Sequence, residues 1–252
     1  MPNFPTNPAT GSYFVTSGST YQAMGNGIFR VAAPENEVKF FTVQDDSLRL
    51  HLKFDGPNNS ITAGFTGSSR HARTPDVEGD AKISTNASVT GTSSLYLDGT
   101  GDYLSIADTD DFNFGEEDFT IEFWINRPTY NLGGVYGMSD GSNNNRWNLY
   151  TATENGFNEF FFFWVYGGSG VIEARWGNNT TLTTDAWHHI AISRAGGTWL
   201  FHLDGVKQSP TFAVGSESPG TTDVKGLTQG PWIGRILAGR SFYRMYGYLD
   251  EF

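Results

Sequence analysis

The stretch SLYLDGTGDYLSI, Ser94 to Ile106, places Asp98 and Asp102 four residues apart on a glycine-rich segment. Two carboxylates so placed can do one of three things. They can accept backbone N–H groups and hold a tight turn. They can offer hard oxygen ligands to Ca²⁺, which takes six to eight of them. Or they can work as acid and base on a glycosidic bond, which needs carboxyls roughly 5 Å apart in a retaining mechanism. Gly99 and Gly101 permit the positive φ of a sharp turn. Leu95, Leu97, Tyr103 and Leu104 flank them as strand residues, so a hairpin turn is the default reading.

Elsewhere the acids are thinly spread. Glu122 stands between Ile121 and Phe123, and Glu173 is alone in VIEARW. Asp108, Asp110 and Asp111 occupy a loop, followed by Glu116, Glu117 and Asp118. No strand carries acids two residues apart, so no glycosidase, and no enzyme of another kind, is expected. His188 and His189 are adjacent and point to opposite faces of a strand. They cannot share a metal; one should be buried and hydrogen-bonded, the other on the surface. No Ser-His-Asp set can be read from spacing, because such triads are defined by geometry. The chain has no cysteine, which excludes disulfides, thiol catalysis and thiolate zinc.

Sugar rings could stack on exposed aromatics. Trp147 and Trp176 lie beside polar loops, where Asn144 and Asn178 would add amide donors. These four are the expected glycan-binding residues. Trp124 and Trp187 are assigned to packing, and burial of indoles in a large core is the competing reading for Trp147 and Trp176 too.

The elements that must position these groups are strands. Among the 252 residues there are 31 glycines, aromatics make up 15% and charged residues only 17%, a composition of many turns and short strands. LRLHLKF (48–54) alternates Leu48, Leu50, Leu52 and Phe54 with polar residues, a half-buried strand of period two. DFTIEFWIN (118–126) sets Phe119, Ile121, Phe123 and Ile125 against Thr120, Glu122 and Trp124. NEFFFFWVY is apolar on both faces, and WHHIAISR, TWLFHLDG and PWIGRIL follow between glycine-rich breaks. Helical periodicity is absent. The fold class is therefore all-β, an antiparallel jelly-roll sandwich.

Residues 1–45 read as a separate small β module, with strands expected at Ser12–Thr16, Thr20–Met24 and Gly27–Val31. The net charge of −11 argues against a nucleic-acid surface and against docking on anionic lipid. The start, MPNFPTNPATGSYF, has no basic or apolar run of a Sec-type signal, and the burst FFFFWVY is too short to span a bilayer.

Taken in order, LRLHLKFDG, the span from AKISTN to EFWI, WHHIAISRAGGTWLFHLDGVK, WIGR and GYLDEF resemble a laminin-G-like domain of the concanavalin A-like lectin/glucanase superfamily, over residues 46–252. The resemblance implies two packed antiparallel sheets. It also implies Ca²⁺, held by Asp98 and Asp102 with Asp250 approaching from the last strand. Family members usually continue past the GYLDE position. Here the last strand is short, the natural chain runs on past Phe252, or a partner completes the sheet edge. Residues 1–45 carry Thr10-Gly11, Tyr13, Gly18, Tyr21 and Gly25, a pattern similar to segments of bacteriophage tail and fibre proteins.

The expected function follows: a non-enzymatic bacteriophage virion protein, homo-oligomeric, on a tail fibre or as a capsid decoration. Residues 1–45 would attach it to other virion proteins, and the lectin-like domain would face host-surface glycans. A free bacterial lectin or adhesin, extracellular or at the cell surface, is the alternative. A divergent glycosidase ranks below it.

Overall fold

The computed structural model describes residues 13–16, 19–25, 28–31, 40–42, 47–69, 71–107, 110–130, 132–141, 145–154, 157–166, 169–177, 181–214, 227–236 and 244–252. The chain divides into two compact units, residues 1–49 with 69–71, and residues 50–68 with 72–252. The first contains β1 (Tyr13–Thr16), β2 (Ser19–Gly25), β3 (Ile28–Val31) and β4 (Phe40–Thr42). They pair in that order as one antiparallel sheet. The fourth strand, set by Arg30 opposite Phe40, has no counterpart in the sequence reading.

The second unit is built from β5 (Asp76–Glu78), β6 (Lys82–Ser84), β7 (Ser94–Asp98), β8 (Tyr103–Ser105), β9 (Phe119–Asn126), β10 (Gly133–Ser139), β11 (Arg146–Glu154), β12 (Phe157–Tyr166), β13 (Ser169–Trp176), β14 (Trp187–Ala195), β15 (Thr198–Leu203), β16 (Val206–Lys207), β17 (Thr211–Val214), β18 (Gln229–Ile233) and β19 (Tyr246–Asp250). Eight strands form one sheet in the order β17-β13-β12-β11-β10-β18-β8-β5. Seven form the other in the order β16-β15-β14-β9-β19-β7-β6. Every pairing is antiparallel. A single turn of 3₁₀ helix, Asp110–Phe112, interrupts the β structure. The all-β sandwich is thus the observed fold. LRLHLKF, expected to be a strand, is instead irregular chain outside the sheets, with Phe54 at φ 55°; Leu52 and Phe54 are buried as its alternation required, but Leu48 is exposed.

Alternation decides which side chains meet. Along β14, His188, Ile190, Ile192 and Arg194 point inward, while Trp187, His189, Ala191 and Ser193 point out. Leu95, Leu97, Ile121, Phe123 and Ile125 join them from the seven-stranded sheet; Tyr136, Trp147, Leu149, Phe160, Ile172 and Trp176 face them from the other. Rings lock the two layers together: Trp176 lies 4.7 Å from Phe201, and Phe252 stacks between Phe123 at 5.3 Å and Tyr136 at 5.6 Å. Arg194, 2% exposed, satisfies its guanidinium on the carbonyls of Phe114, Gly115 and Glu117 and lies over the rings of Phe119 and Trp199.

The last strand corrects an expectation. β19 is interior, bonded to β9 on one side and β7 on the other, so it offers no edge for a partner chain to complete. Beyond it, Phe252 exchanges two backbone hydrogen bonds with Leu52, at 2.7 and 3.0 Å. Gly247 lets β19 fit. At φ 135° a side chain is strained there, and an added Cβ would collide with the carbonyl oxygen of Asn126 on β9. Gly247→Ala should therefore destabilise the domain by about 3 kcal/mol or more. Gly101→Ala, at φ 88° but in open space, should cost about 1–2 kcal/mol for the left-handed backbone alone. Chemical denaturation compares them; equal losses would remove the packing explanation.

Candidate functional site

A third carboxylate joins the two acids of the glycine-rich segment. Asp80, in the turn between β5 and β6, joins Asp98 and Asp102, with one oxygen of each within 4.8 Å of the others. Asp102 is fully buried. Its Oδ1 accepts the N–H of Asp80 at 2.8 Å and its Oδ2 the N–H of Asp98 at 2.9 Å. Asp98 accepts the N–H of Thr100 at 2.6 Å. The carboxylates thus hold backbone N–H groups as the turn reading expected, but the segment is not a hairpin. β7 pairs with β6 and β19 in one sheet and β8 with β5 and β18 in the other, so the turn crosses between sheets, and Asp102 ties it to the neighbouring turn. Burial pushes the Asp102 carboxyl up, the N–H groups of Asp98 and Asp80 pull it down, and the Asp80 and Asp98 carboxylates raise it again. Three hard oxygen donors that repel one another fit a cation such as Ca²⁺.

Asp250 is not part of this cluster. Tyr246 is the residue opposite Asp98, and β19 then runs away, with Leu249 opposite Leu95. Four residues of strand put Asp250 roughly 13 Å along the sheet. There its buried carboxylate accepts the N–H groups of Val89, Thr90 and Glu251. Burial pushes its pKa up to about 6 against those hydrogen bonds. Its role is to pin the loop at Val89 and Thr90 to the end of β19.

The histidines behave as adjacency requires. His188 is buried, accepts the N–H of Thr183 at Nε2 and donates from Nδ1 to Asp204 at 2.9 Å. His189 lies outside, its ring 5.1 Å from that of Trp124. A line of three groups that spacing could not reveal runs from the Ser68 hydroxyl to His51 Nδ1 at 2.8 Å and from His51 Nε2 to Glu251 at 2.7 Å. The serine's own N–H is taken by the carbonyl of His51, and that of Gly67 by Arg73. Neither is left to stabilise an oxyanion.

Two glycan candidates are overturned. Trp147 is 1% exposed and stacks on Tyr136 at 4.3 Å; Trp176 is 3% exposed, between Phe160 and Phe201. Both rings fill the core and present no face to a sugar. Asn144 and Asn178 lie outside the described residues.

The two tryptophans assigned to packing lie on the opposite side. On the outer face of the seven-stranded sheet, one register row crosses five strands: Lys82 opposite Tyr96, Tyr96 opposite Tyr248, Tyr248 opposite Asn126, Asn126 opposite Trp187. All five side chains are half-buried. The Tyr96 and Tyr248 rings are 5.1 Å apart, Trp187 is 6.5 Å from Tyr248, and the Lys82 ammonium lies 5.6 Å from the Tyr96 ring centre. Tyr246 and Trp124 flank the row, also half-buried. At about 4.8 Å between strands the row is roughly 19 Å long. Burial, then the neighbouring tyrosines, push the Tyr96 phenol up, so it stays a neutral hydroxyl. Ring faces, an amide, phenols and an ammonium in line can stack on and hydrogen-bond a polyhydroxylated chain. The phase of alternation was the available signal: Trp124 shares a face with Thr120 and Glu122, and Trp187 with His189 and Ser193.

Comparison with known proteins agrees with the architecture. A search of curated protein sequences returns no significant match. Domain 4 of AbnA, an extracellular GH43 arabinanase from Geobacillus stearothermophilus, in complex with arabinotriose, superposes with a TM-score of 0.50 at 14% identity, covering 80% of this chain and 88% of that one. Tailspike protein 2 of the Escherichia coli O157:H7 bacteriophage CAB120 gives 0.51 at 17% identity, over 78% of this chain but only 28% of the tailspike. The binding domain of botulinum neurotoxin DC, in complex with rat synaptotagmin II, gives 0.51 at 15%, over 81% and 46%. At such identities the likeness is one of fold. Residues 98–252, more than half of the sequence, match the family described as the concanavalin A-like lectin/glucanases superfamily, and the chain belongs to it.

Proposed function

We propose that this chain is a non-catalytic carbohydrate-binding protein of a bacteriophage particle, with the aromatic row of the seven-stranded sheet as its glycan platform. The five-strand row from Lys82 to Trp187 is the observation that carries the reading. A line of half-buried rings, tilted 49° and 56° to one another, with interleaved donors suits a saccharide chain and makes no provision for bond cleavage. Asp76 and Glu78 do stand two residues apart on β5, both exposed, against the sequence expectation that no strand carries such a pair. Glu122 and Glu173 stand on different sheets, and the N–H groups beside Ser68 are committed; these two observations favour binding over turnover. Residues 1–45, with their tail-fibre-like Thr10-Gly11, Tyr13, Gly18, Tyr21 and Gly25, would attach the protein to its particle. The fold shared with a tailspike and with a domain solved with arabinotriose is compatible with this. Ca²⁺ at Asp80, Asp98 and Asp102 would be structural, holding two turns together.

On a glycan array, the protein should bind a restricted set of surface polysaccharides. Trp187→Ala and Tyr248→Ala should each lower the affinity for the best of them about fivefold, since a lost ring contact is worth on the order of 1 kcal/mol. Unchanged affinity in both variants would move the site off this face, and turnover of a bound polysaccharide would overturn the non-catalytic reading. Deleting residues 1–45 should leave glycan binding intact and abolish incorporation into particles. Normal occupancy of the shortened protein would refute the attachment role.

Calcium makes a separate test. Free Ca²⁺ at a hundred times Kd should stabilise the fold by about 2.7 kcal/mol, and Asp80→Asn should remove most of that. A proton competes for the same oxygens on Asp102, whose carboxyl burial pushes up. The calcium-dependent rise in Tm should therefore shrink as pH falls toward the carboxylate range, and do so at a higher pH than an unshifted aspartate would give. Asp102→Asn should cost about 1–3 kcal/mol even in EDTA, because an amide cannot accept both backbone N–H groups. A Tm indifferent to EDTA and to added Ca²⁺ would leave the cluster as a turn alone.

A further inference from the structure

We propose that Arg235 and Arg244 form a receptor for an oxyanion, the carboxylate, sulfate or phosphate group of a ligand. The two residues face each other across an isolated antiparallel bridge. Arg235 is 7% exposed and Arg244 half-buried. Like charges directly opposite repel, more so away from water. The aromatic surroundings do not neutralise them. The Arg235 guanidinium carbon lies 4.3 Å from the ring centre of Tyr103 and 4.5 Å from that of Trp232, and that of Arg244 lies 4.9 Å from Tyr103.

Rings cover the flat faces of a guanidinium and leave its edges, where the N–H groups project. On those edges Nε of Arg235 and both Nε and Nη1 of Arg244 are buried with no acceptor. Buried donors are almost always paired. Buried Arg194 obeys the rule, held by three carbonyls, and half-buried Arg73 pairs with Asp111. Arg127 leaves one nitrogen unpaired; what sets Arg235 and Arg244 apart is that two such groups stand opposite each other on one bridge and lie against the same ring, Tyr103. Asp102 is near enough to act on Arg244, but neither Nε nor Nη1 of Arg244 bonds to it. The missing acceptor is a planar or tetrahedral oxyanion, the shape that two guanidinium forks match. Burial, then the charge of Arg235, push the Arg244 pKa down, the direction that an anion between them would reverse. Arg244, the half-exposed member, is the side from which such a group enters.

The receptor stands independently of the glycan platform; only the assignment of the anion to an acidic sugar rests on that reading. Sodium sulfate, titrated into the full-length protein at constant ionic strength against chloride, should bind saturably by calorimetry and raise the Tm. Arg244→Gln should abolish both responses, and Arg244→Lys, which keeps the charge without the fork, should weaken binding about tenfold. Sulfate indistinguishable from chloride, or an undiminished response in a folded Arg244→Gln variant, would overturn the receptor. Paired acidic and neutral oligosaccharides then identify the source. A preference for the acidic member that is lost in Arg244→Gln supports a sugar-borne anion. A response to sulfate with no such preference supports a free inorganic ion. Tyr248→Ala should leave sulfate binding intact, so failure of the platform and failure of the receptor give different patterns.

Discussion

The seven-stranded sheet depends on its last strand being in its middle. β19 is hydrogen-bonded on both sides, to β7 and to β9, which are themselves separated by twenty residues of chain. Without it the hairpin-like unit β6–β7 would have no sheet to join. The insertion explains several otherwise unrelated residues. Gly247 is required by the approach of Asn126. Phe252 closes the core between Phe123 and Tyr136 and bonds to Leu52. Asp250 gathers Val89 and Thr90 with a carboxylate removed from water. Such long-range pairing makes folding slow, because loop closure precedes the contacts that reward it.

The same strand organises the surfaces. Its outward residues Tyr246 and Tyr248 stand between Tyr96 and Trp187, so the aromatic row exists only while β19 is in place. Its first residue lies opposite Asp98, which brings one end of the strand to the carboxylate cluster. Met245, just before it, bonds to the carbonyl of Gly234, holding Arg244 beside Arg235. Three groups with different chemistry are thus fixed by one register. A slip of a single residue would turn Tyr246 and Tyr248 inward and Gly247 outward.

The strands that alternate cleanly were legible, and so was much of the core. The inward phase of β9, β14 and β15 follows from Ile121, Phe123, Ile190, Ile192, Phe201 and Leu203. The tryptophans were misassigned because loop proximity was weighed above phase. Trp147 shares its phase with Leu149, and Trp176 with Ile172 and Ala174, all buried; Trp124 and Trp187 share theirs with polar residues. Asp80 could not be found, because its place beside Asp98 and Asp102 depends on the pairing of β5 with β8 and of β6 with β7, which no local pattern encodes. The strand predicted at 48–54 failed for the opposite reason. Its alternation is real and its burial correct at Leu52 and Phe54, while Leu48 is exposed and Leu50 only half-buried; its backbone partners are Phe252 and Ser68 rather than a neighbouring strand.

Charge gives the two surfaces different tasks. The chain carries −11 overall, a field that repels acidic ligands at long range and decays within about 8 Å at physiological salt. A buried arginine pair is felt only at contact, where neighbouring groups rather than net charge set the energy. The rings of the aromatic row would meet a saccharide through stacking and hydrogen bonding to hydroxyls, contacts that involve no net charge, with the Lys82 ammonium at one end of the row. On the proposed reading a saccharide chain would settle there mainly through its rings and hydroxyls, and an acidic substituent would be distinguished most strongly where it reaches the paired guanidinium groups. Affinity and selectivity would then reside in separate places on one domain, the first on an open sheet face and the second in a small buried cluster whose donors await their acceptor.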